Sequence, residues 1–394
     1  MTDPPARRWP RRLLALALAT AALAALAPPT AHLWLPPLVD AARAVIGFGR
    51  MHRIEQAAFE LLDDPVDHND DSVDLHDPGA PRLSPPRPGL EILWPPAPLT
   101  LALPPSAAFP HEGRWEAFDA PCPQGAAPRE GAMVRADLRV DPRRPDVEVS
   151  LVAMDMRRLE LRLMPGDAGG PEGSAGGPAG GAIPQGDLGA LVAAFNGGFQ
   201  RQHGGFGLVH QRATLLEPLK GAATLATGPR GRLWMGSWQG PGEGVDVVDL
   251  RQNLQLLVED GAINPDLWLV ADGRRETIGH SATRRSGLCV RPPFTLIYLW
   301  TLRGQAESLG RAMIVAGCAR GMHLDLNAFH TRFEALRVLD DGQSCEARLH
   351  PAMTDGPPRR YLSPQRRDFF ALLARPSPLD DAPVVLSLEA LGAR

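Results

Sequence analysis

Lysine is almost missing from this chain: of 41 basic residues among 394, only Lys220 is a lysine. With 41 prolines, 40 glycines and abundant alanine, the skew reads as GC-rich coding, so an arginine here says less about phosphate binding than usual. The net charge of −4 provides no basic surface, and no nucleic-acid partner is expected. Cys122, Cys289, Cys318 and Cys345 include no Cys-x-x-Cys pair, which argues against a zinc knuckle. In an oxidising compartment they could form up to two disulfides, in any of three pairings; Cys289 and Cys318, inside apolar runs, equally suit small buried hydrophobes. No Gly-x-Gly-x-x-Gly opens a helix and no glycine-rich stretch ends in Lys-Ser/Thr, so a nucleotide phosphate cradle is unsupported. Seven aspartates between Asp63 and Asp77, interleaved with His68 and His76, lack the spacing and the glycine of an EF-hand. No cofactor and no metal is expected.

Five regions organise what is present. Residues 1–31 carry Arg7, Arg8, Arg11 and Arg12 ahead of an uncharged apolar run over 13–27, with Ala25-Leu26-Ala27 as a small-residue cleavage site. This reads as a signal peptide or N-terminal anchor. The protein is therefore expected to be exported, periplasmic or extracellular, with membrane association through the N-terminus as one option. Residues 32–62 can form a helix, 63–114 a Pro/Asp-rich linker, 115–380 the main domain and 381–394 a tail.

Within the domain, 132–140, 147–154 and 158–164 alternate as strands do, and 167–186 is a Gly/Pro/Ala loop without periodicity. Residues 224–227 and 232–238 read as a hairpin around Gly228-Pro229-Arg230-Gly231, and 254–258 and 268–271 as further strands. An apolar run over 294–302 leads to a helix over 305–320, with Leu309, Ala312, Met313 and Ala316 on one face and Gly321 as its stop. A buried strand ending in a polar tip follows over 322–330, which makes a parallel crossover. An adjacent strand is expected over 333–339 and a helical or strand-like stretch over 367–374. The fold expected from these elements is α+β, a mixed twisted sheet with flanking helices in one main domain.

Ligands collect at the carboxyl ends of strands in crossover sheets, and Asp325, Asn327 and His330 stand there. Strand alternation puts His323, Asp325 and Asn327 on one face, an N/O set that could alternatively hold a cation, or in which His323 could orient the Asp325 carboxylate. Asn196-Gly197-Gly198-Phe199 marks a tight turn or a close backbone approach, followed by His203. Arg284 and Arg285, in a Ser/Thr-rich turn, could hold a phosphate bidentately.

Several pieces, in this order over residues 130–375, resemble the phosphodiester glycosidase family. Asn196-Gly197-Gly198-Phe199 is similar to its Asn-Gly-Gly-Phe/Tyr turn, and Leu257-Val258-Glu259-Asp260-Gly261 to its Leu-Val-x-Asp-Gly. Arg285-Ser286 resembles its Arg-Thr/Ser motif, and Ala316-Gly317-Cys318 leading to Leu324-Asp325 its Leu-Gly-Cys and Leu-Asp-Gly-Gly segment. Here Leu326-Asn327 stands in place of Gly-Gly, a departure that suits either altered specificity or lost activity. The resemblance implies a hydrolase acting on a small-molecule or glycan phosphodiester, at the anomeric carbon of a sugar 1-phosphate diester. Asp325 would then be the carboxylate, His330 or His203 the acid/base, and Arg284, Arg285, Asn196, Gly197, Gly198 and Asn327 would bind substrate. The alternative is a catalytically inert glycan- or phosphate-binding envelope protein on the same fold.

Overall fold

The computed structural model describes residues 94–122, 131–166, 181–242, 245–271, 274–326, 330–353, 357–381 and 383–391. All lie in the second of two compact units, Ala80–Arg394. The expected signal segment, the 32–62 helix and the acidic run from Asp63 to Asp77 lie outside the described residues, as does most of the 167–186 loop.

Along the chain come β1 (Glu116–Ala117), β2 (Met133–Arg139), β3 (Glu148–Asp155), β4 (Leu159–Met164) and β5 (Leu191–Asn196). Short strands follow: β6 (Leu208–His210), β7 (Ala213–Leu216), β8 (Ala223–Thr227), β9 (Leu233–Ser237), β10 (Asp249–Gln252), β11 (Leu256–Glu259) and β12 (Ala262–Ile263). Next are β13 (Trp268–Ala271), β14 (Arg274–Thr277), β15 (Thr283–Arg291), β16 (Thr295–Gly304), helix α1 (Ala306–Val315) and β17 (Arg320–His323). The chain closes with β18 (Phe333–Val338), β19 (Ser344–Arg348), β20 (Phe369–Ala374), β21 (Val384–Val385) and the single-turn helix α2 (Leu388–Leu391). An eight-stranded sheet runs β1-β2-β3-β16-β15-β17-β11-β12, a five-stranded sheet β19-β18-β5-β20-β4 and a six-stranded sheet β21-β9-β8-β10-β6-β7, with β13-β14 a separate hairpin.

The fold is therefore mainly β, which corrects the expected α+β sheet with flanking helices. That expectation extrapolated from one crossover. Most of the remaining connections join antiparallel strands, and only α1 is a long helix among the described residues. The crossover itself exists in split form. β16 and β17 each pair antiparallel with β15, so they run parallel with one strand between them. The expected helix also ends early. Gly317, at φ +76°, stops α1, with its N–H on the Ile314 carbonyl and the Cys318 N–H on Met313 in the manner of a left-handed C-cap. Gly321 is instead a β17 residue, where a Cβ would collide with the Met313 side chain of the covering helix.

Alternation sets the layers. Leu288, Val290, Leu296, Tyr298, Trp300 and Met322 of the eight-stranded sheet face a core shared with Leu161, Leu163, Phe195, Phe333, Phe370 and Leu372 of the five-stranded sheet. Phe195 stacks on Phe333 with centroids 5.6 Å apart, and Tyr298 reaches both at 5.2 Å. Leu225, Leu233 and Met235 of the six-stranded sheet close the same core. The opposite face of the eight-stranded sheet lies under Leu309 and Met313 of α1, which sit over Gly287.

Two further expectations change, and one left open is decided. Residues 94–114 are not bare linker: Leu99 donates to the Gly113 carbonyl and Gly113 to Asp137, while the Trp94 indole N–H donates to Gly131. The strand over 333–338 is not adjacent to β17, because the chain leaves the eight-stranded sheet after Asp325 and pairs β18 with β5. The stretch over 367–374 is a strand, β20, between β5 and β4 inside the five-stranded sheet. Two disulfides, Cys122–Cys345 and Cys289–Cys318, use all four cysteines, so Cys289 and Cys318 are cross-linked rather than merely buried. Disulfides persist in oxidising compartments, which agrees with an exported protein. Among the described residues no helix is long and apolar enough to cross a membrane.

Candidate functional site

Three chain segments converge where the eight- and five-stranded sheets meet: the end of β5, the residues past β17 and the approach to β20. They line a cleft with about 270 Å³ of empty space, part of it open to solvent. Its walls hold Asn196, Gly197, Gly198, Asp325 and His330, so five of the nine expected site residues are brought together. Asn327 lies outside the described residues.

The Asn-Gly-Gly turn is shaped by a carboxylate that sequence reading passed over. Asp368 accepts the Gly197 N–H through its carbonyl (3.1 Å) and the Gly198 N–H through Oδ2 (3.2 Å). A Cβ on Gly197 would fall onto that carboxylate, so glycine is needed there for close approach. Arg251 grips the same carboxylate with Nε at 2.8 Å and Nη2 at 3.2 Å, and its remaining N–H groups go to the carbonyls of Phe199, Phe206 and Gln252. Both side chains are buried, 2 and 5 % exposed. Asn253 accepts the Phe199 N–H and donates to the His323 and Leu324 carbonyls, which ties the turn to the end of β17.

Asn196 is saturated. Its Nδ2 donates to the Gly197 carbonyl and Ser286 Oγ, both at 2.9 Å, and its Oδ1 accepts from Tyr298 OH (2.9 Å) and Arg332 N (3.1 Å). It holds the two sheets together at the cleft floor, and no lone pair or proton of its amide is left to orient a substrate.

Asp325 is 3 % exposed. Its Oδ1 accepts the Leu326 N–H at 2.7 Å and its Oδ2 the Arg367 Nη1 at 3.3 Å. Leu326, standing where the resembling family has glycine, turns inward and is buried. Arg360 brings Nη2 to 3.1 Å of His330 Nδ1, and its Nε donates to Gln365 Oε1. Tyr361, whose hydroxyl is pushed up by burial, donates to the Arg332 carbonyl and backs the cleft wall. Two arginines, a histidine and a carboxylate thus surround one small opening.

The arginines are not the expected pair. Arg285 is fully buried in β15, not in a turn, and donates to the carbonyls of Ile278, Ser281 and Gly304, to Ser281 Oγ and to His323 Nε2. Burial lowers it to about 9, so it keeps its proton at neutral pH and serves as an internal brace. Since arginine only donates, His323 accepts at Nε2 and carries its proton on Nδ1; burial first, and Arg285 second, hold it neutral. His323 thus braces against Arg285 rather than orienting Asp325. The metal use of His323, Asp325, Asn327 and His330 has the same obstacle, and no group of three or more His, Cys, Asp or Glu able to hold a metal occurs among the described residues. Arg284 and His203 are not among the cleft-lining residues; His203 is buried in the loop after Phe199, with its N–H on the Gln200 carbonyl.

Arg360, Gln365, Arg367 and Asp368 were missed because they sit in a Pro-rich stretch where arginine is common by composition. The signal that could have found them is the charged cluster Gln365-Arg366-Arg367-Asp368 immediately before the apolar run of β20.

No family model matches the chain, and no curated protein is similar to it at a significant level. Among solved structures it is similar to a hypothetical protein from Synechocystis (TM-score 0.30, 10 % identity, 66 % of this chain) and to a protein named as exported from Burkholderia pseudomallei (TM-score 0.30, 10 % identity, 58 % of this chain and 74 % of that one). The chain spans about 62 % of the Synechocystis protein. Likenesses this slight bear on neither activity nor substrate.

Proposed function

We propose that this exported protein, periplasmic or extracellular, is a hydrolase of phosphodiester glycosidase type that cleaves a sugar 1-phosphate diester in the cleft at Asp325. The observation that carries the reading is one carboxylate, buried but facing the cleft, set against Arg367 at 3.3 Å with Arg360 and His330 on the same wall. A phosphate is a good leaving group at an anomeric carbon, so the chemistry asks mainly for a carboxylate at the oxocarbenium-like centre and cations on the departing oxygens. Asp325 meets the first need. Arg367 and Arg360 meet the second in place of Arg284 and Arg285. His330, whose Nδ1 accepts from Arg360, is the candidate acid/base on this wall. In the overall reaction the bond from the anomeric carbon to the phosphate oxygen breaks, water's hydroxyl ends on the carbon, and its proton ends in the solvent or on the phosphomonoester.

The test is hydrolysis of a panel of methyl sugar 1-phosphate diesters by the whole protein and by Asp325→Asn. Turnover by the parent, with a loss of at least about 10³-fold in the variant, supports the reading. Turnover retained in the variant removes Asp325 from the mechanism. A folded parent that binds the diesters without turnover favours the inert binding protein instead, a reading prompted by the full commitment of Asn196 to the fold and by Leu326 in the glycine position.

A further inference from the structure

A second, larger cleft lies along the edge strand β4 of the five-stranded sheet and reaches the Asn196 end at Met164. Its cavity volume is about 810 Å³, where the shallow, solvent-open cleft at Asp325 encloses only about 10 Å³, and it runs along β4 to the β6–β7 and β8–β9 turns. The two are close. Asn196 and Met164 flank Phe369 on neighbouring strands; Asn196 and Phe369 line the small cleft and Met164 the large one. Two strand spacings are about 10 Å. The wall between them is thin, because Gln365 of the small cleft donates its backbone N–H to the carbonyl of Gly181 in the large one at 2.9 Å.

The large cleft has a cavity volume of about 810 Å³, in the upper part of the roughly 300–1,000 Å³ of small-molecule sites, and its lining follows β4 from Glu160 to Met164 and on to Pro165. Its lining is mixed in charge, with Arg162, Arg212, Arg230 and Arg375 beside Glu160, Asp187 and Asp249. Arg162, Arg212 and Arg230 stand at its edge, 40, 58 and 56 % exposed, paired with the partly exposed carboxylates of Asp187 and Glu160, of Asp246 and of Asp381 respectively. Pairs of that kind are worth little and exchange readily for another anion. Deeper in, His210 Nδ1 lies 3.0 Å from Asp249.

We propose that the substrate is a chain of phosphodiester-linked sugar or polyol units, with one diester in the small cleft and the following units along the large one, their phosphates exchanging with the carboxylates on Arg162, Arg212 and Arg230. This rests on the reading above for the chemistry at Asp325, but not for binding in the large cleft.

The experiment compares the parent with Arg212→Glu/Arg230→Glu on two probes, a methyl sugar 1-phosphate diester and a polymer of phosphodiester-linked sugar units. Both hydrolysis and, in an Asp325→Asn background, polymer binding are measured. The ratio of kcat/KM for polymer over short diester should fall at least about tenfold in the double variant, and polymer Kd should rise by a similar factor. An unchanged ratio with unchanged Kd overturns the inference. If the parent hydrolyses neither probe, the hydrolase reading fails alone: charge-sensitive polymer binding would still establish the large cleft as a polyanion site, and polymer binding that is absent or indifferent to the charge reversal would remove it.

Discussion

Two aspartate–arginine pairs border the same cleft and differ in almost every physical respect. Asp368–Arg251 is a two-point pair at 2.8 and 3.2 Å, its remaining donors spent on carbonyls and its carboxylate also bonded to Gly198. Asp325–Arg367 is a single contact at 3.3 Å, with Arg367 at the cleft wall and 11 % exposed. The first has the form of a lock and the second of a working pair. A buried ion pair that satisfies all its bonds fixes geometry, and its value appears when one partner is removed. A looser pair facing a cleft can be opened by an incoming phosphate. The contrast teaches that, of two neighbouring carboxylates, the one whose arginine stands at the cleft wall rather than among backbone carbonyls is the better candidate for chemistry.

The largest effect should come from breaking the lock. Asp368→Asn leaves Arg251 charged and buried and should cost about 3–5 kcal/mol, read as a lowered midpoint in denaturant. A loss under about 1 kcal/mol would show that the pair is not structural. Next comes the working pair: Arg367→Gln should lower kcat/KM on a sugar 1-phosphate diester about 100-fold while costing about 1–3 kcal/mol of stability, less than Asp368→Asn because the Gln amide can still donate to Asp325. If the stability loss matched that of Asp368→Asn, the two pairs would be one kind of thing. Third is the turn the lock holds. Gly197→Ala drives a methyl into the Asp368 carboxylate and against the Asp368 backbone carbonyl, 2.7 Å away, and should cost about 1–3 kcal/mol, a loss that an Asp368→Ala background should relieve only in part, because the carbonyl stays.

Much of this site was legible in the sequence. Asn196-Gly197-Gly198, Asp325 and His330 could be named because turn glycines and a polar tip after a buried strand carry their own signal. Asp368 and Arg367 could not, since their meaning depends on β20 lying between β5 and β4, a pairing of residues about 170 positions apart that no local period encodes. Arg285 misled for the opposite reason. Its neighbours in sequence look like a phosphate-binding turn, but β15 begins at Thr283, and the side chain points into a ring of carbonyls. The fold class erred by the same logic: one good helix over 306–315 stood for a layer, when the alternation of most other segments already favoured sheets stacked on sheets.

The smallest expected effect separates both pairs from a background that would otherwise blur them. Glu148, on β3, is raised from 4.5 to about 7, by burial first and by Asp137 beside it second; Glu112 adds to the rise and Arg139 opposes it. Because the folded chain binds this proton more tightly than the unfolded chain, the group's contribution is complete below pH 4.5 and is lost as pH rises through about 7. Stability should therefore decline between those limits, by about 1 kcal/mol once solvent screening of a partly exposed group is allowed for. Glu148→Gln should flatten that slope, as followed by denaturant unfolding at stepped pH. A slope that survives the substitution would have to come from elsewhere, and repeating the series in Asp368→Asn and Asp325→Asn would show which pair supplies it. Glu148 lies on the β2–β3 side of the eight-stranded sheet and takes no part in lining the cleft, so Glu148→Gln should leave the Arg367-dependent activity as it was.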